Sequence, residues 1–355
     1  MDKCKKAYES KEKRPSAVDL HKQWVILKNE TATWAKEVSK CAPQQAFRHL
    51  DMAFQRSFKM KEVRLPVFKK RGVRDSFYLE GAIQTKENKI KLPKFGWVKM
   101  SEEVGDYSLK NVVVSRHAEH WFVSFKTDET PQKVADIEQK PIIGVDLGIK
   151  TLATLSNGAV FENKRPYKKY KRKLKLAQRR ASKKYQKGVK QQSKNYQKAQ
   201  AKVAKVHYKI SNIRKDATHK LTTYLSKNHA EIVIEDLNVK GMSKNHKLAS
   251  AILDGGFYEF KRQLDYKCQW YGSTLTVVDR FYPSSKTCSN CQNVKDKLAL
   301  KERIYQCACC GHTQDRDLNA AINLSKKAVS YTVSACGVPH KSRFQQEGTL
   351  KQEAN

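Results

Sequence analysis

Apolar positions along this chain change period several times, and each change marks an expected element. Up to about residue 60, Ala46, Leu50, Ala53, Phe54 and Phe58 recur at steps of three and four, which predicts helices with one buried face. From about residue 64 to 127 the runs become short. Gly, Pro and Asn punctuate Ser76 to Lys99 around Ile83, Ile90 and Leu92, while Val112-Val113-Val114 and Trp121 to Phe125 read as paired strands. A small antiparallel sheet or barrel is expected there. Thr127 to Lys140, with Asp128, Glu129, Pro131, Asp136 and Glu138, reads as a polar linker.

A second pattern starts at Pro141. Ile142 to Val145 predicts a buried strand, Asp146 and Gly148 a turn, Thr151 to Leu155 a second strand, and Asn157-Gly158 a turn into a third. Tyr170, Leu174, Ala177, Ala181, Tyr185 and Val189, then Tyr196, Ala199, Val203, Val206 and Ile210, return to helical steps. One helix over this span would extend about 60 Å, so a break near Gly188 to Ser193 and a helical hairpin are expected. Glu231 to Leu237 predicts a short buried strand ending in acids. A helix over about 256–271, with Phe257, Phe260, Leu264 and the Trp270 region facing inward, then leads to a strand over 274–278. The last helix carries Asp317, Ala320, Ala321 and Leu324, and from about Lys326 to Asn355 the chain is polar and patternless, as in a disordered tail. Strands alternating with helices around this second part predict a mixed α/β fold.

Charge sharpens the picture. The 355 residues hold 71 Lys and Arg against 35 Asp and Glu, a net +36, so a polyanionic partner is expected. Between Lys164 and Lys215, 21 of 52 residues are Lys or Arg and none is acidic. A mixed-charge helix face is ordinarily just solvated, but a single-sign face gains from a phosphate backbone that relieves its repulsion. Lys168, Lys169, Lys171, Arg172, Lys173, Arg179, Arg180, Lys183 and Lys184 are the expected contacts. No apolar run reaches the roughly 18 residues of a membrane-spanning helix, and the basic N-terminus lacks the apolar core of a secretory signal. A cytoplasmic, nucleoid-associated protein with no membrane partner is expected, a monomer for preference.

Nine cysteines are present, and five of them, Cys288, Cys291, Cys307, Cys309 and Cys310, crowd into 23 residues. The pairs Cys288-x-x-Cys291 and Cys307-x-x-Cys310 suit the two knuckles of a closed tetrahedral Zn²⁺ site, structural because it has no open position. Gly311 permits the tight turn, and Cys309 is out of step with the spacing. Asp146, Glu235 and Asp317 each sit at the edge of a predicted element. Convergent carboxylates are hard donors that suit Mg²⁺ or Mn²⁺. Each acid alone could equally be a cap or a turn residue, and Asp236 competes with Glu235 as Asp315 does with Asp317.

IIGVDLGIKTLATLSNG, IVIEDLNVKGM, YPSSKTCSNC and YQCACCGHTQDRDLNAAINL together resemble the RuvC nuclease and zinc-finger regions of TnpB proteins, over roughly residues 15 to 325. TnpB is encoded by insertion sequences, was long described as a transposase, and is related to the type V CRISPR effectors. The resemblance implies an RNase H-like RuvC domain over 141–325, with the basic hairpin at 164–227 and the zinc finger at 286–312. A β-rich wedge-like domain over 63–135 and a partial helical recognition region over 1–62 would precede it, and a tail over 326–355 would follow. It implies Asp146, Glu235 and Asp317 as the magnesium-binding catalytic triad, Cys288, Cys291, Cys307 and Cys310 as zinc ligands, and RNA-guided cleavage of double-stranded DNA with a guide RNA made from the element. Relative to the family pattern, the opening strand of the wedge and the first recognition helix are missing, so the chain reads as N-terminally truncated. A non-cleaving nucleic-acid-binding remnant or repressor, and a strand-joining transposase, are the alternatives.

Overall fold

The computed structural model describes residues 1–60, 62–68, 75–131, 133–189, 191–299 and 301–334, with side chains as far as 328. The chain divides into two compact units, the first ending at Thr130 and the second starting at Pro131.

In the first unit, helices α1 (Asp2–Glu9), α2 (Ala17–Glu30) and α3 (Cys41–Lys59) precede strands β1 (Ser76–Lys86), β2 (Lys89–Leu92), β3 (Gly96–Lys99), β4 (Ser108–His117) and β5 (His120–Phe125). A capping box starts α2, with the Ser16 hydroxyl accepting from the Asp19 amide while Asp19 accepts from Ser16. The helices close over Cys4, Leu20 and Phe54, with Phe47 and Leu50 alongside. Ala46 and Phe58, expected on the buried stripe, are exposed. The strands form one antiparallel sheet in the order β3-β2-β1-β4-β5. Its core is Leu79, Ile83, Ile90, Leu92, Leu109, Val112 and Val114. Gly81, at φ +130°, sits where the β1–β4 register shifts between Glu80 and Ile83, a backbone that residues with a Cβ rarely adopt.

The second unit opens on residues expected to be linker, yet Ile137 is buried and the Val134 amide donates to the Tyr271 carbonyl at 3.0 Å. Then follow β6 (Ile142–Leu147), β7 (Thr151–Leu155), β8 (Val160–Glu162), α4 (Pro166–Ser182), α5 (Lys194–Asn228), β9 (Glu231–Glu235), α6 (Val239–Met242), α7 (Ala249–Gly255), α8 (Phe257–Tyr271), β10 (Thr274–Val278), β11 (Ile304–Gln306), β12 (Thr313–Asp315) and α9 (Arg316–Ser334). The sheet order is β10-β9-β6-β7-β8, parallel across β10, β9 and β6 and antiparallel across β6, β7 and β8.

Helices cover both faces of this mixed sheet. Ile143, Val145, Ile232 and Ile234 point to one side, where they meet Leu221 and Leu225 of α5 and Phe257, Phe260 and Leu264 of α8. On the other side Ile142, Val233 and Val278 meet Leu324 and Ala328 of α9. The alternation follows from the two-residue repeat of a strand. Two expectations need correction. Trp270 is 46% exposed, because its ring stands edge-on to Tyr266, one turn back on the outer side of α8. The helix that was expected to give way to a tail at Lys326 runs on to Ser334, since Ala328 prolongs the buried stripe. The rest of that expected tail lies outside the described residues.

The basic segment forms the expected hairpin. Leu174 and Ala181 of α4 interlock with Ala199, Val203, Val206 and Ile210 of α5. Gly188 at φ +83° lies in the connection, and the Ser193 hydroxyl caps α5 by accepting from the Tyr196 amide. No helix among the described residues is long and apolar enough to cross a membrane.

Candidate functional site

Strand alternation aims two of the three acids. Asp146 shares its face with Ile142 and Gly144, and Glu235 with Val233, so both point to the α9 side at the carboxyl ends of neighbouring parallel strands, one residue past the Val145–Ile234 pair. Asp317 stands in the first turn of α9. Gly144 lets that helix lie against β6, because a Cβ there would fall 1.9 Å from the Ala321 carbonyl oxygen. A glycine within a strand has several explanations, so the sequence alone does not mark Gly144.

These acids act on one another. Burial, then the negative charges of Asp317 and Glu235, push the Asp146 carboxyl up to about 7, against a smaller opposing pull from Arg316. Burial, then Asp236, raises Glu235. Among the described residues neither the Asp146 nor the Glu235 side chain takes part in a hydrogen bond or ion pair. Such a set of half-buried oxygens suits a divalent cation, which would replace the repulsion with attraction. Their spacing is looser than a single closed cluster. Among the described residues the four cysteines are the only group of three or more such ligands close enough together to hold one ion, with their sulfurs within 4.8 Å of one another.

The two competing acids are engaged elsewhere. Asp236 points to the opposite face, where Lys261 at 3.1 Å and Arg280 bind it; the Lys261 hydrogen bond first, then Arg280, holds its carboxyl below the usual range. Asp315 Oδ1 accepts from the amides of Asp317 and Leu318 at 2.9 and 3.0 Å, which makes it the cap of α9.

Between β10 and α9, the strands β11 and β12 pair as a small hairpin beside the cysteines. The Sγ atoms of Cys288 and Cys310 lie 3.7 Å apart and those of Cys291 and Cys307 3.6 Å apart. A tetrahedral ion with metal–sulfur bonds of about 2.3 Å has edges of about 3.8 Å, so the four sulfurs are dimensioned for zinc. Backbone amides favour the thiolate at two of the four, while at Cys291 the pull of the Asn293 amide is outweighed by hydrogen bonding to Cys310 and the other thiols, which pushes the group up to about 12. The His312 amide, first among several donors, brings Cys310 down to about 6, and the Cys310 amide lowers Cys307. Gly311 makes the turn at φ +73°, and Cys309 is exposed and outside the cluster. Tyr305 fills the interior, its hydroxyl donating to the Lys286 carbonyl at 3.1 Å.

Two asparagines that the hydropathy pattern could not flag tie this module to α9. Asn319 donates to the Thr287 carbonyl at 2.7 Å and accepts from the Ser289 amide at 2.9 Å. Asn323 donates to the carbonyls of Ser284 and Thr287 at 2.8 and 2.7 Å. Both are fully buried.

On the hairpin, Lys168, Lys169, Lys171, Arg172, Lys173, Arg179, Arg180, Lys183 and Lys184 are all exposed, and among the described residues none pairs with a carboxylate. The root of α4 is pinned by Asp254, which is buried. Its carboxylate accepts from the Tyr167 amide at 3.0 Å and from Arg214 Nη2 at 3.0 Å.

By architecture the second unit is a mixed α/β domain with a carboxylate-lined edge, an inserted four-cysteine module and a basic helical arm. Two family models match it: OrfB_IS605, described as "Probable transposase", over residues 123–246, and "Cas12f1-like, TNB domain" over residues 257–324. A "Putative RNA-guided DNA endonuclease" of Streptomyces pristinaespiralis is 38% identical over 87% of this chain and 76% of its own length. The "Putative RNA-guided DNA endonuclease InsQ" of Escherichia coli K12 is 37% identical over 93% of this chain and 84% of its own. Among solved structures, the Cas12f1–sgRNA–target DNA complex aligns over 90% of this chain and 77% of its own at 15% identity and TM-score 0.46. The chain belongs to the TnpB family of transposon-encoded proteins, whose members carry the name RNA-guided DNA endonuclease.

Proposed function

We propose that this protein is a metal-dependent DNA endonuclease directed by a guide RNA, with a RuvC-like centre at Asp146, Glu235 and Asp317. The observation that supports the reading is that Asp146 and Glu235 end neighbouring parallel strands within electrostatic reach of Asp317, so that burial and the neighbouring acids raise Asp146 to about 7. A pair of Mg²⁺ or Mn²⁺ ions bound there would supply an activated water and charge neutralisation at the leaving 3′-oxygen. The chain's own part is placement. Parallel register fixes Asp146 beside Glu235, the Asp315 cap frees the Asp317 carboxylate, and the Lys261–Asp236–Arg280 cluster takes the neighbouring acid out of the centre.

Cys288, Cys291, Cys307 and Cys310 would hold a structural Zn²⁺. The basic face of α4 would carry guide RNA or target DNA, in keeping with the net charge of +36. Purified protein loaded with RNA transcribed from the end of its element is expected to cut matching double-stranded DNA in Mg²⁺. Asp146→Ala should lower cleavage by at least a thousandfold while leaving RNA binding intact. Cutting that survives the substitution overturns the assignment. The description "Probable transposase" motivates a parallel strand-joining assay, in which the nuclease reading expects no joined product.

A further inference from the structure

Among the described residues, Phe281 is the most exposed large apolar side chain, at 85%. It lies three residues beyond Val278, the end of β10 and the register partner of Glu235. Strands β10, β9 and β6 are adjacent and parallel, so Phe281 leaves the same sheet edge as Asp146 and Glu235, about two strand spacings or roughly 10 Å across from β6.

The ring is held out by a fixed turn. The Phe281 amide donates to Asp279 Oδ1 at 2.8 Å, the Tyr282 amide donates to the Asp279 carbonyl at 3.0 Å, and Tyr282 itself packs with Val233, Val278 and Leu324. Its neighbour in sequence, Arg280, and Lys261 share the carboxylate of Asp236, one negative charge between two cations, and both are 45% exposed at the side chain. Tyr258, 72% exposed, lies one helical turn before Lys261 on α8. An apolar ring fixed in water gains nothing within the chain. A cationic margin beside an aromatic face suits a base with its phosphate. Aromatic faces with adjoining positive charge are how proteins hold single strands without reading sequence.

We propose that Phe281, backed by Arg280 and Lys261, is a stacking platform for one base of the DNA strand being cut, and so sets which phosphate lies at the acid edge. The proposal rests on the nuclease reading and deepens it.

The test uses the full chain loaded with guide RNA, so that pairing fixes the register, in calcium in place of magnesium, with matching DNA carrying the fluorescent base 2-aminopurine at successive positions. Quenching is expected at one or two adjacent positions, lost in Phe281→Ala and kept in Phe281→Trp. Affinity should fall roughly five- to a hundredfold in the alanine variant, with the slope of log affinity against log salt unchanged because no phosphate contact is removed. In magnesium, guide-loaded Phe281→Ala should cut more slowly and at scattered phosphates. Unchanged quenching, or unchanged rate and cut position, overturns the proposal while leaving the nuclease intact. Position-specific quenching in a wild-type protein that never cuts would instead sink the nuclease reading alone.

Discussion

Asp146 shows what a candidate catalytic position costs at the scale of one side chain. Burial and the neighbouring acids push its carboxyl up to about 7, and the pull of Arg316 offsets this only in part. Lys267 is the cationic counterpart, without a candidate catalytic role. It is buried on α8 with no carboxylate beside it, and its ammonium donates to the hydroxyls of Thr222 and Thr223 at 2.7 and 2.8 Å and to the His219 carbonyl at 3.0 Å. Burial pulls its pKa down to about 8. In the unfolded chain the same group titrates near 10.4. Between these values the unfolded state binds the extra proton, so this group's contribution to stability rises as pH climbs from about 8 towards 10. A Lys267→Met variant lacks that rise. Its stability relative to the wild type, measured by urea unfolding, should therefore fall by up to about 3 kcal/mol between pH 7 and pH 10. A gap that does not change with pH would show that the ammonium keeps its ordinary pKa in the fold.

One element, α9, joins the candidate centre to the cysteine module. It carries Asp317 at its start, presses Ala321 onto Gly144 of β6, and reaches the cysteine knuckle through Asn319 and Asn323. A methyl group at residue 144 would meet the Ala321 carbonyl at 1.9 Å and the Ser325 amide at 2.6 Å, both backbone atoms that cannot swing aside. Gly144→Ala is therefore expected to push α9 off β6 and cost on the order of 2–4 kcal/mol. Cleavage should fall further than stability alone explains, since Asp317 moves away from Asp146. Comparing the thermal midpoint with the cleavage rate well below that midpoint separates the two effects, and full activity in a destabilised variant would refute the coupling. These contacts also mark the limit of reading the sequence. Ile142 to Val145, most of the hairpin stripe and the cysteine spacing were legible because burial and ligand geometry impose a period, whereas Tyr185 and Val189, expected on that stripe, are exposed beyond the end of α4. Asn319 and Asn323 were not legible, because a hydropathy pattern scores a buried, hydrogen-bonded amide as a surface residue. Asp317 and Glu235 were preferred to Asp315 and Asp236 only through the family resemblance, since the cap that engages Asp315 and the cations Lys261 and Arg280 that engage Asp236 leave no period in the sequence.

Across the whole molecule the dominant quantity is the net charge of +36, and its most concentrated part is the outer face of α4. Folding such a helix onto α5 accepts repulsion among like charges. Packing of Leu174, Ala181, Val203 and Ile210, together with the buried Asp254 at the root, keeps the arm in place. A face whose cations have no carboxylate partner should be a phosphate face, and phosphate binding carries a signature independent of any assumption about cutting. Each phosphate contact made by a cation releases counterions, so log affinity falls with log salt by about 0.9 per contact on duplex DNA and about 0.7 on a single strand. Replacing Lys168, Lys169, Lys171, Arg172 and Lys173 with Gln should flatten that slope by about 0.7–0.9 for every one of them that touches the backbone. The same change relieves repulsion, so the fold should be as stable or slightly more so. Weaker binding with an unchanged slope would mean that the loss came from somewhere other than phosphate contacts. An unchanged affinity would make the arm a solvated surface, and the charge of the chain would then need a different polyanion-facing side.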